Sequence, residues 1–150
     1  MSAVLSLNDI LVRPDVWRGR LAEAAVPAQS SGFPVLDAEL PGGGWPRGAL
    51  TEILVDGVGL GECSLLLPAL NAMREAGRWS VLIAPPYAVH APAWAVGGVD
   101  FAHLAVVSPS CRRDVLWAAE QALSGGAVGA VLCWAARVEP AQIRRLQVAA

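Results

Sequence analysis

Four short, mainly apolar runs separated by stretches of helical spacing constrain the fold of this chain more than any other feature. They are residues 49–55 (ALTEILV), 79–84 (WSVLIA), 104–107 (LAVV) and 127–134 (AVGAVLCW). The last three lack the polar alternation of a half-solvated strand, so both of their faces must be covered, as in a buried parallel sheet. Between them lie helical patterns. Residues 64–76 place Leu65, Leu66, Leu70 and Met73 inward, with Pro68 read as falling in the first turns and Gly77 as the stop. Residues 90–96 end at Gly97 and Gly98. Residues 110–123 start from Ser110 as N-cap and stop before Gly125. Residues 138–150 carry Pro140 in the first turn and Ile143 and Leu146 on one face. Strand and helix in strict alternation give an α/β fold, a mostly parallel β-sheet flanked by helices on both faces.

The most informative connection is the first, TEILVDGVGLGECSLLL at residues 51–67. A strand enters a glycine-rich loop (Gly57, Gly59, Gly61), and a leucine-rich helix leaves it at Glu62. That is the outline of a phosphate-binding turn. In a working one, glycine N–H groups surround the phosphates, a lysine reaches the outer phosphates and a hydroxyl holds magnesium. Here Glu62 follows Gly61, and Asp56 stands five positions before it. A carboxylate reverses the attraction such a loop supplies. No register rescues the lysine, because all eleven cationic side chains are arginines. The nearest, Arg47 and Arg74, lie outside the loop. The loop can still be imagined cradling a small anion. With the carboxylate of Glu62 already in the helix's first turn, it is read instead as a structural corner whose glycines supply positive φ angles.

Composition narrows the function classes. A chain of 150 residues makes one domain with a sizeable core. Residues 1–31 read as an N-terminal appendage and linker, with a short helix at 16–25 holding Trp17, and residues 32–150 as the core. The final helix reaches residue 150 without a cap, which leaves open a core that continues or a helix that docks elsewhere. The chain is 55% hydrophobic and 16% charged, with mean hydropathy +0.47, yet no run reaches the roughly 18 apolar residues of a membrane span. With no secretory leader either, the expectation is a cytoplasmic protein with part of its surface covered by a partner. A net charge of −2 argues against a broad nucleic-acid face, so any DNA contact is expected to be weak or indirect. Cys63, Cys111 and Cys133 are widely spaced, and neither a disulfide framework nor a metal site is expected. Ser64 reads as a loop residue, and His90 and His103 have no partner pattern for nucleophilic or metal chemistry.

The wording of the core carries a family resemblance. GFPVLDAELPGGGWPRGALTEIL at 32–54, GVDFAHLAVVSPS at 98–110 and DVLWAAEQALSGGAVGAVLCW at 114–134 are similar to the RecA recombinase core on either side of its nucleotide site. The similarity spans residues 32–136. Within that superfamily, ELPGGGWPRGALTEIL, GECSLLLPAL, RWSVLIAPPY and the early VWRG look most like ImuA, the RecA-like accessory protein of bacterial mutagenic translesion synthesis. SulA-type cell-division inhibitors share such a degenerate core and form the alternative. The resemblance implies a RecA-like P-loop-type core with its site dismantled. The family lysine falls at Glu62, its hydroxyls at Cys63 and Ser64, its metal carboxylate at Cys133 or Trp134, and its catalytic glutamate at Pro85 and Pro86. Phosphate charge, metal carboxylate and general base are lost together, so hydrolysis and a bound cofactor are not expected. The active DNA-dependent ATPase is thereby the weakest reading.

It implies instead a non-catalytic protein of the DNA-damage (SOS) response. Its partners would be an ImuB-type inactive Y-family polymerase, an error-prone replicative-type polymerase and RecA. Candidate partner contacts are Trp45, Tyr87 and Trp94, beside Pro/Gly-rich segments where such folds place their sites, with packing into the empty pocket as the equal alternative. Arg112 and Arg113 face the positive end of a helix dipole and suit an acidic partner or plain solvation. Arg144 and Arg145, with Arg137, form a small basic set on the last helix.

Overall fold

The computed structural model describes residues 27–150 except Val58 and Leu60. Trp17 and the helix expected at 16–25 lie outside the described residues. Three of the four apolar runs form the sheet: β3 (Trp79–Ile83), β4 (Leu104–Val107) and β5 (Val128–Cys133), in the order β4-β3-β5 and all parallel. Each of the connections between them carries a helix, as parallel pairing demands. Helix α2 (Glu62–Glu75) precedes β3. Helix α3 (Ala91–Val96) and a 3₁₀ turn (Phe101–His103) lead into β4. Helix α4 (Arg112–Ser124) joins β4 to β5, and α5 (Pro140–Ala149) closes the chain.

The central strand β3 shows why the sheet needs two covers. Ser80, Val81, Leu82 and Ile83 are all buried, and Leu82 and Ile83 are inaccessible to solvent. Val81 and Ile83 project to one face, where they pack with Ala119 of α4 and Leu146 of α5. Strand alternation sends Ser80 and Leu82 to the other, beneath α2 with its buried Leu70 and Met73. A register shift between Trp79 and Ser80 places an extra residue in β5, leaving Gly129 unpaired between the partners of those two residues. The shift lets Val128, Val131 and Cys133 all pack on the α4–α5 face. Glycine is required at the bulge, because a Cβ there would stand 2.8 Å from Met73 Sδ and 2.7 Å from Arg78 Cβ.

The first run breaks the expectation. Residues 49–55 pair with no described strand, and Thr51 through Val55 are exposed, Leu54 at 84%. Leu50 alone is drawn against the core, its N–H donating to Gln147 Oε1 of α5 at 3.3 Å. The apolar residues of this segment are split into two short pieces, Ala49 with Leu50 and Ile53 to Val55, by Thr51 and Glu52. Thr51 and Glu52 favour water, which satisfies the backbone as well as a ladder would. The sheet therefore has three strands, with the outer edges of both β4 and β5 open among the described residues.

Smaller departures have local causes. Pro68 is the seventh residue of α2, inside the helix rather than in its first turns. It is positioned by packing: a Cβ on Gly32, whose φ is +81°, would meet the Pro68 ring at 2.5 Å. Ser64 belongs to the same helix and is not a loop residue. Cys111, not Ser110, stands at the N-cap of α4, and makes no side-chain cap bond. The expected linker contains β1 (Ala28–Gln29), which pairs antiparallel with β2 (Trp45–Pro46). Helix α1 (Pro34–Glu39) lies between them, close to the short helical turn expected there. No helix among the described residues is long and apolar enough to cross a membrane.

Candidate functional site

The glycine loop remains the natural place to look for a site, since it delivers the chain to the N-terminus of α2. Gly59 and Gly61 have φ values of +81° and +108°, which L side chains rarely adopt. Gly61 is the N-cap of α2, and its carbonyl accepts from Leu65 N–H at 3.1 Å. In a phosphate-binding loop the N–H groups turned inward by such glycines are left for the ligand. Here the Gly59 N–H donates to Oε1 of Glu62 at 3.0 Å. The carboxylate satisfies that N–H and also places negative charge in the helix's first turn, where the dipole favours it. Outside the loop, the Tyr87 ring closes against Gly59: a Cβ there would lie 3.4 Å from Tyr87 Cε2. Tyr87 itself is 65% exposed.

The residues directly after the strands, Ala84 to Pro86, Ser108 and Pro109, and Trp134 to Ala136, include no carboxylate. Strand β3 runs into Ala84, at φ +52°, then Pro85 and Pro86. Strand β5 ends at Cys133, and the N–H of the following Trp134 donates to the Ile83 carbonyl at 3.0 Å. Burial pushes the Cys133 thiol up from its ordinary pKa. Burial also raises that of Cys63, helped by the neighbouring Glu62 charge. Both cysteines therefore behave as packing groups rather than as thiolates. Ser64 is exposed on α2. No group of three His, Cys, Asp or Glu suited to a metal ion occurs among the described residues.

The histidines have structural posts. His90 caps α3, its Nδ1 accepting from Ala93 N–H at 3.3 Å. His103 is half-buried with its ring 5.7 Å from that of Trp79. The turn at Ser30 and Ser31 is held by Asp37, which accepts from Ser30 Oγ at 2.7 Å and Ser31 N–H at 2.8 Å. Those bonds lower the Asp37 pKa below the ordinary carboxylate range. The Ser-Gly-x-x-x-Leu-Asp pattern of the sequence is thus a folding device.

The candidate contact residues separate into two places. Trp45, in β2, and Trp94, in α3, are half-buried, so of the three aromatics Tyr87 alone projects to solvent. Arg112 and Arg113 occupy the first two positions of α4 and are exposed. Arg144 and Arg145 sit on α5, and Arg145 pairs with Glu120 of α4 rather than joining a basic patch. Arg113 and Arg145 border one groove of about 970 Å³, formed by α4, the end of β4 and α5. Its lining includes Trp117, 60% exposed, which sequence reasoning missed. The available signal was its position on a helix whose inner face is made by Val115, Ala119 and Ala122, a face that leaves Trp117 outside.

No family model matches the chain, and no curated protein matches it in sequence. Among solved structures it is similar to SulA from Pseudomonas aeruginosa, with 24% sequence identity and a TM-score of 0.56, over 66% of this chain and 85% of that one. At that identity the likeness is one of fold.

Proposed function

We propose that the chain is a non-catalytic, RecA-like accessory protein of the bacterial DNA-damage response that works by binding other proteins. The observation that carries this reading is the bond from Gly59 N–H to the Glu62 carboxylate: the protein's own side chain takes the place a nucleotide phosphate would need. No lysine exists to restore the site, and the strand ends carry Pro85, Pro86, Cys133 and Trp134 where metal and water chemistry would require carboxylates. Exposed apolar side chains, among them Leu54, Tyr87, Val106 and Trp117, are available to partners. Through its ImuA-like wording, the favoured setting is a translesion-synthesis assembly with an ImuB-type inactive Y-family polymerase and an error-prone replicative-type polymerase, with RecA as a further contact. Co-purification of the full chain with purified ImuB-type protein and RecA tests this; capture of neither overturns the mutasome assignment.

A second reading has its own support. The structural likeness to SulA favours a division inhibitor that acts on the tubulin-like division GTPase. Expression in undamaged cells separates the two. Filamentation with no change in damage-induced mutation supports the inhibitor, and altered mutation frequency at normal cell length supports the accessory protein.

A further inference from the structure

We draw no further inference here: the strongest candidate, the exposed apolar stretch at residues 53–55 ahead of the glycine loop, is an unpartnered surface, and nothing in the structure shows what covers it.

Discussion

Replacing Glu62 tests the idea that a side chain has taken over the phosphate seat. In Glu62→Ala the Gly59 N–H loses a charged acceptor at 3.0 Å, and α2 loses the acid in its first turn. A hydrogen bond to a charged group contributes about 1.5–3 kcal/mol, and an acid at a helix N-terminus about 0.3–1 kcal/mol. Glu62 is only half-buried, so water recovers part of both, and the expected loss is about 1–2 kcal/mol. For a domain of this size that lowers the thermal midpoint by about 2–8 °C, measured by circular dichroism with urea titration as a check. Glu62→Gln keeps an oxygen for Gly59 and should fall between the two. Phosphate at roughly millimolar concentration should raise the midpoint of Glu62→Ala and leave the original chain unchanged, because only the variant has an empty seat. Glu62→Lys should hydrolyse no ATP, since β5 still ends at Cys133 and Trp134 without a carboxylate. A Glu62→Ala protein as stable as the original chain, or one indifferent to phosphate, would refute the reasoning.

Three further outcomes follow from packing and titration. Asp37 has its folded pKa depressed by the Ser31 and Ser30 bonds, so its contribution is complete above the unfolded carboxylate value and is lost as pH falls from ~4 through the folded value. Urea midpoints across that range should decline less steeply for Asp37→Asn than for the original chain. Gly129→Val adds three carbons against Met73 and Arg78 at the β5 bulge and should cost about 1–3 kcal/mol, read from denaturant unfolding; a neutral result would mean the bulge can relax. Iodoacetamide at neutral pH should label the exposed Cys111 first, with Cys63 and Cys133 following slowly because burial holds their thiols protonated; mass spectrometry of timed samples gives the order.

The sheet was legible where both faces of a strand are buried. WSVLI and LAVV contain one polar residue between them, Ser80, and the surrounding helices announce themselves through Gly77 and Pro140. The missing lysine and the strand ends without carboxylates were equally legible as a set of absent side chains. What occupies the loop instead was not, because whether Glu62 turns back to Gly59 or out to solvent depends on a rotamer rather than on residue type. The strand expected at 49–55 failed for a related reason. Period and composition describe what a segment would gain from pairing, while the pairing itself depends on whether a neighbour's edge lies within hydrogen-bonding reach. The groove beside Trp117 lay beyond sequence reasoning altogether, being made by three elements whose contact residues are far apart in the chain.

These two failures bear on each other. A parallel sheet protects its apolar strands by covering both faces, but covering faces does nothing for edges, and this sheet has two among the described residues. At the β5 side, exposed Ile53, Leu54 and Val55 follow Leu50, which packs in the same cluster as Val131 and Cys133. At the β4 side nothing in the described chain is close to serving as a cover. An unpaired edge with exposed valines is a standing aggregation hazard in a free protein. The same reasoning makes Val106→Lys informative. A charge on that edge should reduce self-association at high concentration, read by light scattering. Light scattering unchanged by Val106→Lys would mean that the open edge does not drive self-association.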